Sequence, residues 1–215
     1  MENKGFEKGK GKEHLDKKFL EELKHKIWST KGTRFTADER LKKQSKLSTL
    51  SISFLSAYLI IFGLVSVYNL LGKIQIDLNL FAFSITALSI LLLVFSLVEN
   101  NQNYVIRAKS FHDCALDLSD LYNELQNFKS YKDNTSDEEK MNFCEMLQSK
   151  YQLVLRKYEN HDPIDNAKFR LNHPDYYNIK WQEYLITPVG YFIKTKLVYL
   201  IIITLPTVLL YYLMK

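Results

Sequence analysis

The sequence predicts an all-α membrane protein: a transmembrane helical hairpin continuous with a cytoplasmic antiparallel helical hairpin, plus a C-terminal apolar helix. Three observations predict it. Leu47–Gly72 is a run of 26 residues without a charged side chain, and Leu78–Val98 is a second run of 21. At ~1.5 Å per residue these runs reach about 39 and 32 Å as helices, against a hydrocarbon core of about 30 Å. Only Lys73–Asp77 lies between them, which calls for a tight antiparallel turn. Inside lipid every backbone amide and carbonyl needs an internal partner, and two helices supply all of them. Core helices of soluble proteins seldom run uncharged for so long.

Apolar residues are gathered into three runs, with the charges between them. Seven Gly and four Pro in 215 residues favour long regular elements over loops. The two cysteines, Cys114 and Cys144, make neither a disulfide framework nor a metal-ligand pair, and are read as buried structural thiols. The first apolar run follows a long charged arm and precedes no small-residue cleavage site. It is expected to be an uncleaved anchor.

Residues 1–46 form a basic cytoplasmic arm with helices. Met1–His14 is rich in Lys and Gly, lacks apolar periodicity and is expected to be disordered. Gly5, Gly9 and Lys10 miss the spacing of a phosphate loop and lack its Ser or Thr. Leu15, Phe19, Leu20, Leu23 and Ile27 recur at helical spacing, predicting a short amphipathic helix that ends near Trp28 and either lies on the membrane surface, to which Trp28 is suited, or packs on the later helices. Ser29–Arg34 reads as a break. Thr36-Ala37-Asp38-Glu39 then reads as a capping box, opening a helix that runs through Arg40, Lys42, Lys43 and Lys46 into the first span.

Residues 47–98 are the transmembrane hairpin. Thr49, Ser53, Ser56 and Gly63 follow a 4-3-7 spacing on the first span, and Ala82, Thr86, Ser89 and Ser96 repeat it on the second. Such stripes let helices approach closely, with hydroxyls bonding across the contact. In an oligomer one stripe can instead line an aqueous pore. Neither span contains Asp, Glu, Lys, Arg or His, which argues against a proton relay, a voltage sensor or a charge-coupled transporter.

Orientation follows the basic residues. There are 14 Lys and Arg in residues 1–46, one in the turn and 13 in residues 99–196. The positive-inside bias makes the arm and the central region cytoplasmic and the turn external. The arm carries a net +6, whereas 99–196 carries −2. Arg34, Arg40, Lys42, Lys43 and Lys46 are therefore candidates for contacts with anionic lipid or with a partner. Direct nucleic-acid binding is the other reading of the same charge.

Residues 99–160 are the cytoplasmic helical hairpin. Ala108, Phe111, Ala115, Leu118, Tyr122 and Leu125 alternate 3-4 in a coiled-coil-like seam on a helix continuous with the second span. Lys129–Thr135 is a polar break. Ser136-Asp137-Glu138-Glu139 is a second capping box, followed by Cys144, Leu147, Tyr151, Val154 and Tyr158 at the same alternation.

Residues 161–196 are an irregular juxtamembrane segment. The stretches around Asp162-Pro163 and His173-Pro174 are expected to be loops. Their His and Asp residues are read as caps rather than a metal or acid–base site. Tyr184–Phe192 reads as an interfacial stretch. Residues 197–214 are an uncharged run of 18, preceded by Lys194 and Lys196. They form the third membrane helix, with Pro206 as a kink site. The alternative is a core or re-entrant helix.

No catalytic, cofactor or metal constellation emerges, so the chain is not read as an enzyme. Two function classes remain. One is a membrane effector that oligomerises through its cytoplasmic helices and opens the bilayer. The other is a membrane-anchored scaffold or tether that recruits a nucleic-acid or protein partner.

The chain resembles a family. Trp28-Ser29-Thr30-Lys31, Arg34-Phe35 and Arg40-Leu41 lead into the tight hairpin, and Tyr104, Ala108, Phe111-His112 and Tyr122 follow it. This pattern is similar to the SLATT proteins, small two-span bacterial effectors associated with nucleotide-signalling and reverse-transcriptase defence systems. Glu159-Asn160-His161 and the C-terminal run look most like the subgroup that accompanies retron-type reverse transcriptases. The resemblance implies a homo-oligomeric, pore-forming or membrane-damaging effector in the bacterial inner membrane. It would be silent until phage infection and then cause growth arrest or cell death, with a reverse-transcriptase or nucleotide-signalling partner. The family offers no catalytic residues to carry over, and the third span exceeds its usual two-span core.

Overall fold

The computed structural model describes residues 19–68, 78–131 and 135–213. The expectations for Met1–His14, for Leu15, for the Lys73–Asp77 turn and for the Asp133-Asn134 break lie outside these residues. The described chain is all-α: α1 (Phe19–Val67), α2 (Leu78–Asn101), α3 (Tyr104–Tyr131), α4 (Asp137–Lys157), α5 (Pro163–Leu171), α6 (Trp181–Phe192), a π-helical turn (Ile193–Leu197) and α7 (Val198–Leu213). Three helical stretches are long and apolar enough to cross a bilayer, so the protein is an all-α membrane protein. The chain divides into two compact units: residues 1–41 with 106–191, and residues 42–105 with 192–215.

In the first unit, Leu23 and Ile27 of α1 pack with Cys114, Leu118, Leu121 and Leu125 of α3 and with Leu147 and Tyr151 of α4. The core is thus built by three helices rather than by the α3–α4 hairpin alone. The α3 seam is buried at Ala108, Phe111, Ala115, Leu118 and Leu125, with Tyr122 half-buried. The capping box at the start of α4 is present. Ser136 Oγ accepts from the Glu139 N–H at 3.2 Å, and Glu139 Oε2 accepts from the Ser136 N–H at 3.2 Å. Both cysteines are buried free thiols whose pKa is pushed up by desolvation.

Two local expectations are corrected. Ser29–Arg34 is not a break, because α1 is helical from Phe19 to Val67. Thr36 is consequently no N-cap; its hydroxyl donates to the Gly32 carbonyl one turn back, at 3.0 Å. Tertiary packing explains the continuity. Thr33, Arg34 and Ala37 are buried, and a Cβ on Gly32 would lie 1.9 Å from the Phe169 ring. Glycine at position 32 is what lets α1 and α5 approach. Second, Asp162-Pro163 starts a helix. Asp162 accepts from the Ile164 N–H at 3.1 Å, and Pro163 occupies the first helical position, where a missing N–H costs nothing. Of the two placements expected for the segment ending at Trp28, the structure shows packing on later parts of the chain, with the half-buried Trp28 ring centroid 5.1 Å from Phe169, 5.1 Å from His173 and 4.7 Å from Tyr176.

In the second unit, the passage from α2 towards α3 is interrupted at Gln102–Asn103. Asn103 takes φ 50°, a left-handed conformation that Asn tolerates better than most residues. Its N–H donates to the Asn100 carbonyl at 3.3 Å. The C-terminal candidate span among the described residues is Trp181–Thr204, which starts well before the expected 197.

Candidate functional site

The second unit carries the membrane-spanning helices, and its polar side chains fall into two sets. One is the pair of stripes read from the sequence. Thr49, Ser53, Ala82, Thr86 and Ser89 are exposed, and Ser56, Gly63 and Ser96 are half-buried. Each hydroxyl with a described bond donates to a carbonyl of its own helix: Thr49 to Ser45, Ser56 to Ile52, Thr86 to Ala82, Ser89 to Ile85 and Ser96 to Leu93, at 2.8–3.0 Å. Satisfied this way, a hydroxyl can face lipid or a neighbouring helix without a bare donor. A Cβ on Gly63 would meet nothing within 4 Å. Within one chain, then, the stripes are largely unoccupied surface.

The other set was missed by the sequence reading. Gln44, Ser48 and Ser51 of α1 are buried. Gln44 donates to the Lys194 carbonyl at 3.3 Å, Ser51 to the Tyr199 carbonyl at 3.5 Å, and Tyr58 to the Ile203 carbonyl at 3.3 Å. The polar face of α1 that is covered therefore meets the C-terminal helical run. The Tyr199 hydroxyl donates to Glu99 Oε2 at 2.8 Å and lies 3.2 Å from the Tyr104 hydroxyl. The signal was present in the sequence, since Ala37, Leu41, Gln44, Ser48 and Ser51 continue one 4-3-4-3 spacing. Reading 47–98 apart from what precedes it hid that register. At the end of α2 an open hollow of about 480 Å³ is lined by Leu97, Val98, Asn100, Asn101 and Asn103, which supply amides but no acid, base or nucleophile.

The first unit holds the buried charges. Arg40 and Asp165 form a bidentate pair, Nε to Oδ1 at 2.7 Å and Nη2 to Oδ2 at 2.9 Å. Asp165 is 0% exposed and Arg40 5%. Burial alone would lower the Arg40 pKa, but the hydrogen bond and charge of Asp165 outweigh it and hold the guanidinium above its usual value. Asp165 Oδ2 also accepts from the Asp162 N–H at 3.2 Å, closing the α5 capping box. Arg34 is 1% exposed, donates to the Glu159 carbonyl and lies over the Phe111 ring at 5.4 Å. Burial, then the charge of Arg34, pushes the His161 pKa down.

This corrects the grouping of Arg34 and Arg40 with surface contacts. Both guanidinium groups are enclosed by protein and committed to internal acceptors, so neither is available to a lipid headgroup. Lys42, Lys43 and Lys46 of the second unit are exposed. His161 and His173 lie on separate tasks: His173 Nδ1 is 2.8 Å from the Phe169 carbonyl and joins the aromatic cluster. Among the described residues no group of three or more His, Cys, Asp or Glu is placed to hold a metal ion.

A family model described as "SMODS and SLOG-associating 2TM effector domain family 5" matches residues 16–212 of the chain. The match includes the third apolar helix, although the description counts two membrane segments. No curated protein and no solved structure matches.

Proposed function

The chain belongs to the SMODS and SLOG-associating 2TM effector (SLATT) family, and is a membrane effector of that kind; from this we propose that it is an anti-phage protein of the bacterial inner membrane that oligomerises and opens a pore or disrupts the bilayer, causing growth arrest or cell death when triggered. The basic arm and the central helices face the cytoplasm, and the trigger is a retron-type reverse transcriptase or a nucleotide signal. No catalytic step is involved.

The observation that supports this reading is the exposure of the two hydroxyl-bearing stripes. Small residues on a membrane helix let another helix approach closely. Here Thr49, Ser53, Thr86 and Ser89 lie on the outside, where copies of the chain can meet or line an aqueous path.

The test is membrane potential and propidium uptake in bacteria expressing the full chain or a variant lacking residues 47–98. Each is co-expressed with a retron-type reverse transcriptase and challenged with phage. Depolarisation by the full chain alone is the expected result. Intact potential under the trigger would overturn the pore and leave the tether reading.

A further inference from the structure

We propose that α6 is a lipid-docking helix, embedded through its outer face in the headgroup layer of a membrane. The inference is independent of pore formation and concerns a surface of the first unit.

The polarity of α6 is inverted relative to a helix of a soluble protein. Its inner face is polar or small. Glu183 pairs with Arg170 at 3.6 Å, Thr187 is buried, a Cβ on Gly190 would contact Ile164 at 3.8 Å, and Lys168 lies 5.8 Å over the Tyr191 ring. The outer face is large and apolar: Trp181 is 71% exposed, Leu185 61%, Ile186 70% and Val189 57%, with Tyr184 and Phe192 also exposed. A water-facing helix places these two sets the other way round. A helix against lipid places them as seen here.

The width of the face separates lipid from a second copy of the chain. At about 100° per residue, the exposed apolar positions from Tyr184 round to Ile186 cover an arc of about 200°, against a much narrower seam in a helix pair. A partner helix would leave most of that arc in water, whereas acyl chains and headgroups cover it all. Gln182, in the first turn, is the one strongly polar residue within it.

Two further features set the depth. Trp181 and Tyr184 carry a polar tip on an apolar body, the chemistry enriched where headgroups meet hydrocarbon. Lys194 and Lys196 follow α6 and are exposed, inside the Trp181–Thr204 stretch that is otherwise apolar enough to span. Ammonium groups resist the bilayer centre and reach for headgroups. The lysine pair therefore marks, along the chain, where the apolar run passes the headgroup layer.

The chain has two tryptophans, which permits a direct test. Full-length W28F, whose remaining indole is Trp181, and W181F, which retains Trp28, are reconstituted in phosphatidylcholine–phosphatidylglycerol vesicles. Part of the lipid is brominated near the headgroup end of the acyl chain. The expected result is a loss of Trp181 emission of about twofold or more, with Trp28 little changed, as for an indole at the interface. If W28F does not fold, the wild-type signal minus that of W181F reports the same residue. Trp181 emission insensitive to brominated lipid would overturn the proposal. Aqueous iodide then tells which cover is present: quenching means α6 stands in water, and protection means protein, such as a second copy, covers it.

Discussion

Arg40 and Asp165, 125 positions apart in the chain, meet in a bidentate pair at 2.7 and 2.9 Å with both side chains almost wholly buried. The pair ties the middle of α1 to the first turn of α5, and Asp165 also closes the α5 capping box. Loss of one partner strands the other charge in the interior. Asp165→Ala and Arg40→Leu should each destabilise the first unit by about 3–5 kcal/mol, whereas Arg40→Met with Asp165→Leu should recover most of that loss. Thermal melts of the purified chain in detergent check both parts.

Gly32 and Phe169 define a second close contact. Gly32→Ala should destabilise by about 1–3 kcal/mol, since the added methyl overlaps the ring and one element must move. Shortening the ring in Gly32→Ala/Phe169→Leu should restore part of the stability. If Gly32→Ala melts like the parent, α1 and α5 do not approach as described.

His161 should make the first unit sensitive to acid. Its folded pKa is depressed by burial and by the charge of Arg34, below the unfolded value of about 6.5. The unfolded chain then binds the extra proton first, so stability is full above about pH 6.5 and falls as the pH drops through the depressed folded value. Melting temperature measured from pH 7.5 down to 5 should decline, and less steeply in His161→Gln.

The exposed stripes give a test that separates folding from activity. Gly63→Leu should leave the fold intact, because a Cβ there meets nothing within 4 Å in its own chain. It should still abolish permeabilisation if copies meet at that face. Unchanged dye release from Gly63→Leu and Ser56→Leu would remove the stripes from the mechanism.

Ser136→Ala should cost about 1 kcal/mol, the usual value of an N-cap, and should fray the start of α4. Hydrogen exchange at the backbone of Glu138–Lys140 is the readout. Protection equal to the parent would mean the box contributes nothing.

Local chemistry was legible wherever it decides the structure by itself. Long uncharged runs require helices in lipid whatever their neighbours, and they set the fold class. Ser136 and Glu139 form their box with each other, so their spacing sufficed. The 3-4 alternation of α3 identified its buried seam because one helix face has that period regardless of what covers it.

The remainder depends on contacts between residues far apart in the chain, which no local pattern encodes. Ser29–Arg34 looked like a break because Ser, Thr and Gly are weak helix formers, yet packing of Gly32 against Phe169 keeps α1 helical there. Arg34 and Arg40 looked like surface charges until Glu159 and Asp165 supplied buried acceptors. The interfacial character of Tyr184–Phe192 was legible from its composition, but only the folded unit shows which side of α6 turns inward, with Thr187 buried and Trp181 exposed. Composition along the chain determined that this protein enters a membrane. Tertiary structure decided which charges and which apolar faces remain outside, because burial is a property of pairs of surfaces and not of one segment.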